Sequence, residues 1–116
     1  MSLSLREELA TFTGTRGYVK SSFGRLRLTE GIHYLRKTTE CYWLIDIVES
    51  WYPFLKSRPF QVWRIVVNDD RSAEVTCREY SRDYFIVRQA IHYTSFPMRD
   101  FSFFLKDNVV MLRSEY

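Results

Sequence analysis

The chain has 116 residues, 46% of them hydrophobic and 17% aromatic, and a net charge of +3. This length and apolar content exclude a disordered chain and predict one domain, burying about two thirds of the surface its unfolded form exposes. There is no signal peptide, lipidation motif or run of eighteen apolar residues, so a cytoplasmic protein that does not enter the membrane is expected.

Ser2 or Ser4 is placed to cap a first helix that carries Glu7 and Glu8 in its first turns and buries Leu5, Leu9 and Phe12 before stopping at Gly14. Thr13 to Gly17 reads as a turn. Phe23 to Leu28 alternates apolar and basic positions, the pattern of a short edge strand or extended arm. Thr29 then opens a helix over about 30–38, and Thr39-Glu40 opens the principal helix, which Pro53 interrupts. In that helix Leu44, Ile47, Val48 and Trp51 form an i, i+3, i+4, i+7 stripe, with Asp46, Glu49 and Ser50 on a polar strip.

Everything after Pro59 reads as strands. Phe60 to Val67 is a β-branched and aromatic run, Ala73 to Tyr80 alternates, and Tyr84 to Thr94 places Phe85, Val87, Ile91 and Tyr93 on one face. Parity selects the loops: a five-residue loop at 68–72 sets Val67 against Ala73, and a three-residue loop at 81–83 sets Tyr80 against Tyr84. Phe101 to Leu105 and Val109 to Leu112 read as a last hairpin, with a helical turn over 97–105 as the competing reading. The predicted fold is a single α+β domain: an antiparallel sheet of about four to six strands, a meander of hairpins, packed on two to three N-terminal helices. The helical half covers about 1–56 and the sheet half about 60–112.

Chemistry is sparse. Cys41 and Cys77 make no CxxC and read as reduced, buried thiols; His33 and His92 have no ligand spacing with them. Ser21-Ser22 beside Gly24 lacks the Gly-Lys-Ser/Thr of a phosphate loop. Asp46 reads as a polar anchor toward the turn at 13–17, and Asp69-Asp70 as a solvated turn. No catalytic residue, cofactor site or metal site is predicted, and no enzyme.

Two surfaces remain as candidates. Between residues 16 and 37, Arg16, Lys20, Arg25, Arg27, Arg36 and Lys37 stand against Glu30 alone, with Tyr18, Phe23 and Tyr34 interleaved. From Pro59 onward eight basic and eight acidic residues cancel, so the basic excess is local and steers an anionic partner toward one face. The outer sheet face offers a second set, Arg64, Arg78, Tyr80, Tyr84 and Arg88, with His92 beyond them. Aromatic residues together with arginine are the composition of protein interfaces. A binding protein acting by protein contact, as monomer or homodimer, is the first expectation. A nucleic-acid-binding module using the 16–37 segment is the alternative.

Phe12-Thr13-Gly14-Thr15, Thr29-Glu30-Gly31 with Tyr34-Leu35, Tyr42 to Asp46, Phe60 to Trp63, Tyr93 to Pro97 and the final Ser114-Glu115-Tyr116 together carry a resemblance. The chain resembles a family of small bacterial and phage-encoded proteins of unknown function, often carried on plasmids and prophages. It departs from the family pattern at Arg113, where a proline is usual, and at Ser95, where an acidic residue is usual. The resemblance implies a mobile-element accessory protein, a setting rich in inhibitors of host defence.

Overall fold

The computed structural model describes residues 4–116; the Ser2 cap lies outside the described residues. Among the described residues three α-helices cover one face of a seven-stranded sheet. The first, α1 (Leu5–Ala10), is capped by Ser4 in a reciprocal capping box with Glu7 and ends at Thr11, short of Gly14. The second, α2 (Glu30–Thr39), is capped by Thr29 and closes at Glu40, whose φ of 58° is left-handed. Thr39 does not open the next helix, because its hydroxyl donates back to the Leu35 carbonyl at 2.8 Å and completes α2.

The principal helix, α3 (Tyr42–Leu55), therefore starts after Cys41 and runs through Pro53 instead of stopping there. Its last turn is held from outside, by burial of Leu55 and by Gln61 Nε2 donating to the Leu55 carbonyl at 3.0 Å. The buried stripe is rotated from the expected one: Leu44, Ile45, Val48 and Glu49 are buried, while Ile47 and Trp51 are half-buried. Trp51 lies at the sheet margin, its Nε1 donating to Gln89 at 3.3 Å.

The strands are β1 (Val19–Lys20), β2 (Arg27–Leu28), β3 (Phe60–Val67), β4 (Ala73–Glu79), β5 (Val87–Ile91), β6 (Asp100–Lys106) and β7 (Val109–Leu112). Their order is β1-β2-β7-β6-β3-β4-β5, so the sheet is larger than the expected four to six strands and is not a plain meander. Nor is it wholly antiparallel: β2 runs parallel to β7, with Arg27 beside Val109. The extra strands come from the arm, which folds back beside the last hairpin. Its Arg27 N–H donates to Asn108 O and its Thr29 N–H to Val110 O. Residues 100–106 are strand, which removes the helical alternative.

The hairpin registers agree with parity. Val67 pairs with Ala73, and Cys77 pairs with Val87, the same register as the expected Tyr80 to Tyr84 alignment. The ladder, however, stops before Tyr80. Arg78 Nη1 donates to the carbonyls of Glu79, Tyr80 and Arg82, which takes their acceptors out of strand pairing and turns the chain over 80–86. Phe85, expected inside, lies on this turn and is exposed, and Tyr93, expected inside, lies beyond the end of β5 and is exposed, while Trp63, Ile65, Val67, Val75, Cys77 and Val87 form the platform under α3. Among the described residues no helix is long and apolar enough to cross a membrane.

Candidate binding surface

The buried carboxylate of Glu49 organises the loop that leads into the arm. Its side chain is fully enclosed, which burying a charge permits only with good partners. They come from the loop: the Ser21 hydroxyl, the Phe23 N–H at 3.0 Å and the Arg25 N–H at 2.9 Å. Ser21 Oγ in turn accepts from Leu26 N–H at 2.9 Å, and Gly24, at φ 77°, makes the reversal. Burial pushes the Glu49 carboxyl up, but the Ser21 hydroxyl, the two amides and the Arg25 charge outweigh it and hold it below its ordinary 4.5. Beside it Asp46 accepts from the Ser22 hydroxyl at 2.7 Å, so its anchor is this loop and not the turn at 13–17. At the loop tip Phe23 is 73% exposed.

Register places the two candidate surfaces on one face. Lys20 is opposite Arg27, Arg27 is beside Val109, Val109 is opposite Lys106, and Lys106 is opposite Phe60. Directly paired residues project to the same side, and β3 alternates from Phe60 to Arg64 on that side. Arg64 pairs with Thr76, Thr76 with Arg88, and Val62 with Arg78. Lys20, Arg27, Lys106, Arg64, Arg78 and Arg88 thus all rise from the face the helices leave open. Tyr18 borders a small recess with Lys20 and Arg27.

The remaining basic residues of the 16–37 segment do not join them. Arg36 is buried at 7% exposure, its guanidinium 4.8 Å from the Tyr42 ring, and it is removed from the surface because it packs between α2 and the start of α3. Lys37 borders an apolar cleft with Phe12, Val19 and Tyr34. Arg16 uses its N–H to bond the Glu30 carboxylate at 2.9 Å, fastening the turn to α2. Tyr84 is exposed on the 80–86 turn, off the strands.

Lys106 and Arg113 were not predicted as part of this face, although the alternation of Phe101 to Lys106 places Lys106 outward with Arg64. They flank a group of four rings, Phe60, Tyr80, Phe104 and Tyr116, whose centroids lie 4.4 to 5.8 Å apart. Lys106 Nζ is 5.2 Å from the Tyr116 ring and Arg113 5.3 Å from Phe104. This cover buries Phe104 and Val62 on a face expected to be wet. Charge pairing on the face is uneven: Arg64 binds Asp100 and Arg88 binds Glu74. Among the described residues Lys20, Arg25, Arg27, Arg78, Lys106 and Arg113 have no carboxylate within ion-pair distance.

Cys77 is fully buried, and burial pushes its thiol up to about 12, which leaves it a packed group without nucleophilic character. Among the described residues no three or more His, Cys, Asp or Glu side chains are grouped to hold a metal. What the geometry defines is an α+β domain with helices on one side of its sheet and an aromatic, cationic surface on the other. The chain belongs to a family of unknown function, DUF6876, whose family model matches residues 3–116. No curated protein and no solved structure matches the chain.

Proposed function

We propose that this is a small, non-enzymatic binding protein that docks an acidic partner protein on the helix-free sheet face and the adjoining 18–27 arm. One observation carries the reading: cations without carboxylate partners lie with the exposed rings of Tyr80, Phe85 and Tyr116 on the side that no helix covers, while the exposed Tyr42 and Phe54 belong to α3. Charge complementarity makes the partner acidic. The ring geometry favours protein over nucleic acid. Base stacking needs free ring faces, and here Phe60 is stacked on Tyr80 while Arg113 lies over Phe104.

The alternative, a nucleic-acid module using Tyr18, Lys20, Arg25 and Arg27, is favoured by the 52% exposure of Tyr18 beside unpaired cations. The finer reading is a cytoplasmic accessory protein of mobile elements that inhibits a host defence protein, and resemblance alone supports it. Affinity capture from the source cells tests the core proposal. Wild type should retain a protein that the Lys20→Glu, Arg27→Glu variant loses, with retention insensitive to nuclease. Retention of nothing by wild type overturns the proposal. Salt-sensitive binding of a generic oligonucleotide, lost in the same variant, establishes the alternative.

A further inference from the structure

A polar concavity of about 380 Å³ lies on the helix-free face, over β6, β3 and β4 and against the 80–86 turn. Its walls include Arg64, Thr76, Arg78, Phe85, Ser102 and Arg113. Three guanidiniums from three separate elements therefore share one hollow, and they differ in what already occupies them. Arg64 is neutralised, its Nε and Nη2 gripping the two Asp100 oxygens at 2.8 and 2.5 Å. Arg78 is immobilised through Nη1 alone, which donates to three carbonyls of the following turn at 3.1 to 3.3 Å. Its Nε and Nη2 have no acceptor among the described residues. Arg113 is placed the same way: Nη1 donates to Ser102 Oγ at 3.0 Å and the plane lies over Phe104, which leaves its other edge free.

Two arginines are thus held in place by contacts that consume one nitrogen each and neutralise neither charge. A guanidinium edge matches the two oxygens of a carboxylate or phosphate, and holding it rigid beforehand lowers the ordering cost of binding. Thr76 and Ser102 add hydroxyls to the same walls. Asp83 is the opposing charge there, since Asp100 is already paired.

We propose that this concavity is an oxyanion site, in which Arg78 and Arg113 receive a phosphate or carboxylate group. The proposal holds whichever class of macromolecule carries the anion, and it does not rest on the protein-partner reading above. Inorganic phosphate and acetate, titrated separately at constant ionic strength while backbone amide shifts are followed by NMR, test it. Saturable shifts are expected at Thr76, Arg78, Ser102 and Arg113 with at least one of the two anions. Saturation by phosphate alone assigns a phosphoryl group, and saturation by both assigns the broader carboxylate-accepting site.

Arg113→Gln should weaken that binding about tenfold, the loss of one charged hydrogen-bonding group. Its melting temperature should stay near wild type, because Arg113 is exposed. Arg78→Lys, which keeps the charge and loses the fork, should weaken binding as well, and Asp83→Asn should tighten it. The Lys20→Gln, Arg27→Gln pair should leave binding unchanged. The proposal is overturned if neither anion saturates, or if that pair weakens binding as much as Arg113→Gln does.

Discussion

Glu49 turns a polar position of α3 into the fastening of a loop 28 residues earlier in the chain. Glu49→Ala removes the acceptor for two amides and a hydroxyl in a closed site, so it should cost about 3 kcal/mol, read by urea denaturation near neutral pH. Its pH dependence has a definite sign. The folded carboxyl titrates below its ordinary 4.5, so its stabilisation is present above that pH and is lost as pH falls through the lower folded value. Wild-type stability should therefore fall more steeply below about pH 4.5 than that of Glu49→Gln, when unfolding free energies are compared across an acid series. This site was not legible in the sequence. A carboxylate beside Asp46 and Ser50 at helical spacing reads as solvent-facing, and its donors are backbone amides, which carry no residue-type signal. Phe23, by contrast, was visible as an aromatic between basic residues, though not as the tip of a pinned loop.

At the level of elements, the β hairpins were legible because alternation with period 2 leaves one register that buries the apolar side. What alternation does not encode is the point where a ladder stops. The Arg78 side chain holds the turn that follows β4, on which Phe85 is exposed, and β5 ends at Ile91, which leaves Tyr93 outside. The arm was legible over Phe23 to Leu28 as a short strand, but not its place between β1 and β7 instead of at an edge: strands of two residues have no period, and a parallel neighbour is not announced by any turn. The start of α2 shows how closely the elements are fitted. A Cβ added at Gly31 would lie 2.6 Å from the Glu115 carboxylate oxygen and would also strike Leu112. Gly31→Ala should therefore destabilise by about 1 to 3 kcal/mol, against the gain Ala normally brings inside a helix. A shift to lower melting temperature would show it, and an unchanged or raised one would refute the close approach.

Across the whole molecule, Glu115 ties the end of the described chain to the middle. Its carboxylate accepts from the Thr29 hydroxyl at 2.6 Å, the Gly31 N–H at 3.1 Å and the Leu112 N–H at 3.0 Å, at the positive end of the α2 dipole. Glu115→Ala should cost about 2 kcal/mol or more and should speed amide exchange at Gly31 and Ile32, measured by hydrogen exchange. Several segments that carry the family resemblance are fastenings of this kind. Phe12 packs on Tyr34 at 5.4 Å, Trp63 Nε1 bonds Gln61, and Ser114 reaches the Leu9 carbonyl. They specify the shape, and the aromatic, cationic face lies largely on residues between them.

The parallel pairing of β2 with β7 also governs the order in which the protein can be completed during synthesis. Among the described residues the arm has no neighbour other than β7 to join it to the sheet, and Thr29, the α2 cap, has its hydroxyl fastened by a Glu115 carboxylate 86 positions further along. A ribosome that has not yet released residues 109–115 holds an arm with unpaired edges and an α2 start that Thr29 caps but Glu115 does not yet fasten. Such long-range closures are slow, so the helix-free side of the sheet becomes whole only once residues 109–115 have emerged.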